Sequence, residues 1–218
     1  MYRNKIEMEN IWERLKLENL LVSECYTNCY LCKNKETGEG FIVDPGENEL
    51  KISVNISKME MKPVAIILTH GHYDHIGAVN ALKERYGIKV YVSEAEKELI
   101  GDKKMNLSSY FDSPMTIEAD EFLKDGQKIT LAGINMTFIA TPGHTPGSGC
   151  YYLEDNEILF SGDTLFHGSR GRTDFPGGSE SEIMKSIREK LLKKLPDETA
   201  VLPGHNDSTT IGTEKVYY

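Results

Sequence analysis

Residues 69–75 read Thr69-His70-Gly71-His72-Tyr73-Asp74-His75 and come directly after an apolar run over residues 63–68. Three imidazoles and a carboxylate within six residues form a high density of metal-ligand side chains. A buried structural histidine usually occurs singly, because neighbouring imidazoles repel one another when protonated and leave nitrogens unsatisfied when neutral and dry. A divalent metal removes both difficulties, since imidazole binds zinc or iron and a carboxylate helps to hold a dication. The stretch therefore predicts a metal site.

The other ligand-type side chains also follow the ends of apolar runs. One lies in Thr141-Pro142-Gly143-His144-Thr145, another in Ser161-Gly162-Asp163-Thr164, and a third in Pro203-Gly204-His205. In each case a small residue bends the chain after a strand-like segment, and loops beyond strand ends commonly carry catalytic groups. The candidate metal ligands are His70, His72, Asp74, His75, His144, Asp163 and His205.

This order of ligands resembles the metallo-β-lactamase superfamily, whose members carry an HxHxDH motif followed by one histidine, a bridging aspartate and a last histidine. The resemblance extends from Asn28-Cys29-Tyr30 and Val43-Asp44-Pro45-Gly46 to Pro203-Gly204-His205. It implies two divalent metal ions per chain, with zinc expected and iron or manganese as alternatives. The implied ligands are His70, His72 and His144 for the first metal, Asp74, His75 and His205 for the second, and Asp163 as the bridge.

Within the superfamily, the segments around His144 and Asp163 are similar to glyoxalase II and its short bacterial relatives. The resemblance implies hydrolysis of a small-molecule thioester by a metal-bridging hydroxide. Asp74 is then the catalytic residue, which holds the second metal and accepts a hydrogen bond from the hydroxide. Arg172 falls on a basic position of the family and is the expected substrate-binding residue, whereas the family's nearby aromatic hydroxyl falls on Asp174. An ion pair between Arg172 and Asp174 is the alternative, and the thiol carrier and acyl group stay open.

Other activities fit the same motifs. In persulfide dioxygenases of the superfamily, one iron is held by the equivalents of His70, His144 and Asp163, and a basic residue occupies the position of Arg172. Lactone or β-lactam hydrolysis is a further possibility. A purely structural metal site fits less well, because structural zinc sites are typically closed four-ligand sets rich in cysteine. The spare histidine, His167, is expected to be an exposed loop residue rather than a general acid.

Hydrophobic patterning by itself supports a mixed α/β chain. The apolar run over residues 63–69 is typical of a strand buried on both faces. Apolar positions at helical spacing predict helices over residues 76–86 and 179–195, the second with a capping pattern at Ser179 and a stop at Pro196. Further strands are predicted over residues 20–34, 40–43, 88–92, 128–132, 136–140, 149–153, 158–161 and 200–202. The resemblance adds their arrangement, a four-layer αβ/βα sandwich of the metallo-β-lactamase type.

Length and charge limit the classes of protein. The 218 residues carry no low-complexity linker and predict a single domain over 1–218, with residues 1–18 as a peripheral N-terminal extension. A net charge of −9 argues against a nonspecific nucleic-acid surface. No apolar run approaches the roughly 20 residues that span a bilayer, and the charged N-terminal stretch lacks the apolar core of a secretory signal. We therefore expect a cytoplasmic protein without nucleic-acid or membrane partners. The sequence does not specify its oligomeric state.

The cysteines are predicted to be small buried residues rather than metal ligands or disulfides. Cys25, Cys29 and Cys32 lie close together, but alternation along a strand would point Cys29 and Cys32 to opposite faces. They could then not share a tetrahedral ion. Cys150 is interpreted in the same way.

Overall fold

The computed structural model describes residues 14–111 and 114–218. Its first sheet contains six strands in the order β1-β2-β3-β4-β5-β6. The strands are β1 (Leu15–Val22), β2 (Thr27–Asn34), β3 (Glu39–Val43), β4 (Lys62–Ile67), β5 (Lys89–Ser93) and β6 (Glu121–Leu123). Strands β1 to β3 are antiparallel, and β3 to β6 are parallel.

The second sheet has the order β12-β11-β10-β9-β8-β7. Its strands are β7 (Lys128–Leu131), β8 (Ile134–Ala140), β9 (Gly149–Leu153), β10 (Ile158–Gly162), β11 (Ala200–Pro203) and β12 (Thr209–Thr210). All neighbours are antiparallel except β10 and β11, which are parallel.

Helices connect the strands of both sheets. They are α1 (Glu49–Lys58), α2 (Tyr73–Ile76), α3 (Val79–Tyr86), α4 (Lys97–Ile100), α5 (Glu180–Lys185) and α6 (Ile211–Glu214), with a π-helical segment, Ser186–Leu192, continuing α5. A short 3₁₀ turn, Glu94–Glu96, leads from β5 into α4. None of the described helices is both long enough and apolar enough to cross a membrane.

Three apolar clusters hold the layers together. Phe41 of the first sheet and Phe138, Tyr151 and Phe160 of the second belong to one buried cluster between the sheets. A second cluster joins the first sheet to α1 and α3, and a third joins the second sheet to α5 and its π-helical continuation. The layers are therefore helix, sheet, sheet and helix, which confirms the predicted αβ/βα sandwich.

The predicted strand over residues 20–34 is wrong, because two strands occupy this region. Leu15–Val22 and Thr27–Asn34 pair antiparallel. The chain reverses between them, where Ser23 and Tyr26 adopt positive φ. Strand pairing begins at Leu15, so the part of the predicted extension at 15–18 lies in the sheet, and residues 1–13 of that extension lie outside the described residues.

The two predicted helices are present but shorter. The helix over 76–86 is interrupted between α2 and α3, where the Ala78 amide donates to the Pro45 carbonyl at 2.9 Å. The helix over 179–195 begins as predicted, with the Ser179 hydroxyl accepting from the Glu182 amide. Its π-helical part ends at Leu192, four residues before Pro196.

Candidate metal centre

Loops after four strand ends bring the seven predicted ligands to one edge of the sandwich. The loop after β4 carries His70 and His72, α2 directly after it carries Asp74 and His75, and the loop between β8 and β9 carries His144. Asp163 follows β10, and His205 follows β11. All are buried except His205, whose side chain is 20% exposed. Both sheets thus contribute ligands to one place.

Two sets of ligand atoms face one another there. The first group is His70, His72 and His144, and the second group is Asp74, His75 and His205, with the ligand atoms of each within 4.8 Å of one another. In the first group, His72 Nδ1 lies 2.9 Å from His144 Nε2. In the second, His205 Nε2 lies 3.3 Å from Asp74 Oδ2 and 3.4 Å from His75 Nε2.

Asp163 lies between the two groups. Its Oδ2 is 3.4 Å from His144 Nε2 of the first group, and its Oδ1 is 3.4 Å from His75 Nε2 of the second. Asp163 Oδ2 also lies 3.6 Å from His205 Nε2, so this carboxylate contacts both groups, as the expected bridging ligand should.

Hydrogen bonds on the outer side of the imidazoles fix which nitrogen faces inward. Nδ1 of His144 donates to the Arg172 carbonyl at 2.7 Å, and Nδ1 of His205 donates to the Cys25 carbonyl at 3.2 Å. Since a carbonyl can only accept, Nδ1 carries the proton in both rings and Nε2 keeps its lone pair. This is the outer-shell arrangement typical of metal-binding histidines.

Unpartnered atoms show that the residues fit a metal. Nε2 of His70 and Oδ1 of Asp163 are buried without a hydrogen-bond partner among the described residues, and both residues belong to a set, with His75, whose ligand atoms lie within 4.8 Å of one another. Buried polar atoms are nearly always satisfied, so these two atoms point to a bound ion. Imidazole and carboxylate donors without thiolate suit zinc, iron or manganese.

The charges point the same way. Burial and the neighbouring imidazoles lower the pKa of His70, and they lower that of His72 to about 3, so both rings are neutral at pH 7. Burial also acts to lower the pKa of His75, but the carboxylates of Asp74 and Asp163 outweigh it and raise this pKa to about 10. A dication would supply the positive charge that His75 takes up in its absence.

Asp44, for which the sequence predicted no role, orients two of the candidate ligands. It follows β3 with φ 46°, and its carboxylate accepts from the Thr69 amide at 2.8 Å and from His75 Nδ1 at 3.0 Å. The Thr69 hydroxyl donates to Asp44 at 2.6 Å and lies 3.2 Å from His70 Nδ1. One carboxylate therefore aims Nε2 of both His70 and His75 inward. Asp44 directly follows a buried strand, as the predicted ligands do, and this position could have identified it from the sequence.

Residues of β2 hold the loop of His205. The Asn28 amide and the Tyr30 hydroxyl both donate to the Pro203 carbonyl, at 2.9 and 2.7 Å. Gly204 packs so closely that a Cβ there would collide with Asp163 Oδ1 and lie 2.7 Å from His75 Cε1. The loop can therefore approach the other ligands only with glycine at this position.

A cavity of about 840 Å³ opens onto the ligands. Its wall includes Tyr73, which stacks on Phe111 with ring centroids 3.9 Å apart, and Phe175. Arg172 also lines it, but its guanidinium forms two hydrogen bonds of 2.6 Å to Asp174 and lies over the Phe175 ring. The structure thus contains the ion pair that the sequence offered as the alternative to substrate binding.

The remaining predicted residues lie as follows. Cys29 and Cys32 are buried on opposite faces of β2, as predicted, and Cys150 is buried. Cys25 was predicted to be buried and is instead exposed, because it lies in the turn between β1 and β2, where its thiol is 2.9 Å from the Tyr73 hydroxyl. His167 is exposed, as predicted.

The chain matches one family model and several known proteins over most of its length. The family described as the metallo-beta-lactamase superfamily matches residues 22–205. The "Probable metallo-hydrolase YqgX" of Bacillus subtilis is 36% identical over 203 residues, covering 92% of this chain and 95% of the relative. The "Hydroxyacylglutathione hydrolase GloC" of Haemophilus influenzae is 33% identical over 207 residues, with the same coverage of 92% and 95%.

Solved structures with the same fold include several with substantial sequence identity. The BLEG-1 B3 metallo-beta-lactamase has a TM-score of 0.87 at 37% identity, covering 92% of this chain and 97% of that one. TTHA1623 in a di-iron-bound form has a TM-score of 0.81 at 32% identity, covering 91% and 96%. ETHE1 from Myxococcus xanthus has a TM-score of 0.77 at 28% identity, covering 93% and 82%.

Proposed function

The chain belongs to the metallo-beta-lactamase superfamily, and on this basis we propose that it is a dinuclear metal-dependent hydrolase that cleaves small-molecule thioesters. The observation that carries the proposal is the convergence of the two ligand groups and Asp163 beside one large cavity, whose wall includes members of both groups. Zinc is the proposed metal, and iron is the first alternative, since the neighbour TTHA1623 was solved with two irons. Action in the cytoplasm, without nucleic-acid or membrane partners, stays a prediction from the sequence.

The residues have distinct roles in this mechanism. When bound, two divalent ions would lower the pKa of water and polarise the substrate carbonyl. The first group would hold one ion and the second group the other. Asp74 Oδ2 accepts a hydrogen bond from the Thr27 hydroxyl at 3.0 Å, which fixes the carboxylate. We assign to Asp74 the further role of accepting a hydrogen bond from the attacking water and so orienting it towards the carbonyl.

The chemistry of the cavity wall supports a thiol as the leaving group. A thiol with a pKa of about 8.5 can leave as thiolate, whereas an amine needs a proton from a general acid. Among the described residues that line the cavity, the hydroxyl of Tyr73 is a poor acid, because burial and its contact with Cys25 raise its pKa. Arg170 and Arg172 are both held by carboxylates, those of Glu180 and Asp174.

The relatives add two further points. GloC is named as a hydroxyacylglutathione hydrolase and is matched over 95% of its length, which supports a thioester as the first candidate substrate of this chain. The BLEG-1 structure is named as a B3 metallo-beta-lactamase, which makes β-lactam hydrolysis the second candidate for this chain. Persulfide oxidation with a single iron is the alternative outside hydrolysis.

Metal analysis and a substrate panel test the proposal together. The protein is purified without added metal or chelator, once in air and once anaerobically, and its metals are counted. Hydrolysis is then measured for a 2-hydroxyacyl thioester of glutathione, the same acyl group on a carboxylate-free thiol, a lactone and a β-lactam. Oxygen uptake is measured with a persulfide as the substrate. Two metals per chain and fastest turnover of a thioester are expected. One iron per chain with oxygen uptake, or a β-lactam cleaved faster than any thioester, would contradict the proposal.

His70→Ala tests the site, with His167→Ala as the matched control. His70 faces the other ligands and His167 is exposed in a loop. We expect His70→Ala to lose at least one metal and about 10²-fold or more in turnover, since the metal supplies several kcal/mol of transition-state stabilisation. His167→Ala should retain both. Retention of metals and turnover by His70→Ala would show that the site is assigned wrongly.

A further inference from the structure

We propose that Glu96 is a positioning residue for the first group, holding the loops of His70, His72 and His144 at the spacing that a metal requires. The inference rests on the proposed metal-dependent function. Glu96 lies at the end of the 3₁₀ turn after β5 and is fully buried. It was not among the residues that the sequence predicted, and the mechanism above does not use it.

The Glu96 carboxylate accepts three hydrogen bonds. Oε2 accepts from the Gly71 amide at 2.7 Å, and Oε1 accepts from the Thr145 hydroxyl at 2.7 Å and the Gly147 amide at 2.8 Å. Burial raises its pKa, and these three donors act in the opposite direction, with no contribution from a charged side chain. Since every partner is a donor, the ionised carboxylate matches all three without rearrangement.

These partners belong to the two loops of the first group. Gly71 lies between His70 and His72, and Thr145 and Gly147 come one and three residues after His144. The first loop extends from β4 of the first sheet, and the second connects β8 and β9 of the second sheet. One carboxylate therefore joins loops that belong to different sheets, at the point where their histidines must come together.

The contact is too close to be incidental surface pairing. A Cβ on Gly147 would lie 2.6 Å from the Glu96 backbone nitrogen, so the loop packs directly against the turn. A buried carboxylate is costly unless it is fully hydrogen-bonded, and losing one acceptor leaves a buried donor unsatisfied. Glu96 makes none of its hydrogen bonds to Asp74, His75 or His205. Its effect should therefore be selective for the first group.

Glu96→Gln tests this selectivity with little change in shape. The amide can accept on one side only, so its NH₂ must face either the Gly71 donor or the Thr145 and Gly147 donors. Glu98→Gln is the matched control, because Glu98 is exposed on the next turn and the charge change is the same. Metal-free protein of each variant is titrated with Zn²⁺ against a chromophoric chelator, which resolves two dissociation constants. Histidine ¹⁵N shifts report which group each ion fills.

We expect Glu96→Gln to weaken binding at the first group by about 10- to 100-fold, as outer-shell changes commonly do. Binding at the second group should change less than about threefold, and Glu98→Gln should match the wild type. The melting temperature of each metal-free variant is measured alongside. Unchanged affinity at the first group would overturn the inference, as would an equal weakening of both groups that follows a loss of melting temperature.

A second pair of variants covers the case in which Glu96→Gln does not fold. Thr145→Val removes one donor to Glu96, whereas Thr145→Ser keeps the hydroxyl. Weaker binding at the first group in Thr145→Val alone is expected, and equal affinities in the two variants would refute the role. If the wild type itself does not bind two metals through these histidines, the proposed function fails. If it does and Glu96→Gln binds them equally well, only this inference fails.

Discussion

Asp44→Asn should weaken binding of both metals by reversing a chain of hydrogen bonds. In the wild type, Asp44 Oδ2 accepts from His75 Nδ1 at 3.0 Å and from the Thr69 hydroxyl at 2.6 Å. If the asparagine oxygen keeps the Thr69 amide, its NH₂ takes the place of Oδ2 and faces both partners. Nδ1 of His75 must then accept, which moves the proton to Nε2. The Thr69 hydroxyl turns towards His70 Nδ1 and has the same effect on that ring.

The size of the loss depends on the orientation that the asparagine amide adopts. Outer-shell substitutions typically cost 10- to 100-fold in metal affinity, or about 1.4 to 2.7 kcal/mol. In the opposite amide orientation, NH₂ faces the Thr69 amide, and the unsatisfied donor costs about 1 to 3 kcal/mol of stability instead. Either orientation therefore predicts a measurable loss.

Competitive Zn²⁺ titration of metal-free protein measures the loss, and histidine ¹⁵N shifts report the tautomers of His70 and His75. Asp155→Asn is the control, since Asp155 is exposed and precedes β10, at the opposite end of that strand from Asp163. Asp44→Asn protein that binds both ions as tightly as the wild type, with an unchanged melting temperature, would show that Asp44 does not set the tautomers.

Three further predictions concern other parts of the molecule. Gly204→Ala should lower the affinity of the second group, since its Cβ would collide with Asp163. Zn²⁺ titration checks this against Gly101→Ala, whose Cβ would make only ordinary contacts at 3.6 and 3.7 Å, and equal affinities would contradict it. Asp174→Asn should release the Arg172 guanidinium and lower KM for a glutathione thioester by up to about fivefold. KM for a carboxylate-free thioester should not change, and a parallel change for both substrates would contradict the prediction. Burial acts to raise the pKa of Asp120, but Lys83 and the Val90 amide hold it below 3.8, so its stabilisation is present above about pH 4 and lost as the pH falls through the lowered pKa. Urea unfolding of metal-free protein should therefore show Asp120→Asn less stable than the wild type at pH 7, with a difference that shrinks as the pH falls below about 4, and a constant difference would contradict it.

The convergence of the candidate ligands could be predicted from the sequence because these residues follow strand ends. Buried strands produce apolar runs, small residues mark the bends, and the histidines that follow are few enough to recognise, as in Pro203-Gly204-His205. The faces of Cys29 and Cys32 followed from strand alternation in the same way. These features depend on local order along the chain.

The outer residues could not be predicted because packing alone distinguishes them. Glutamate occurs at three alternating positions, 94, 96 and 98, and nothing in the sequence distinguishes them. Only Glu96 of these three is buried, because the loops after β4 and β8 pack over it. Helix α1 was not predicted because its sequence is largely polar, with Ile52 and Ile56 as its buried apolar positions. The tight reversal between β1 and β2 has no glycine to mark it, so Cys25 appeared to continue a buried strand.

The division of the ligands between the two sheets makes the centre sensitive to how the sheets slide on one another. His70 and His72 extend from one sheet, while His144, Asp163 and His205 extend from the other. The layer between them includes Tyr30 and Phe160, whose ring centroids are 5.3 Å apart. A change of volume in this layer would displace one set of ligands against the other without touching either. Directed evolution aimed at metal preference thus has a second target in this aromatic layer, where modest repacking would change the distances between ligands inside each group.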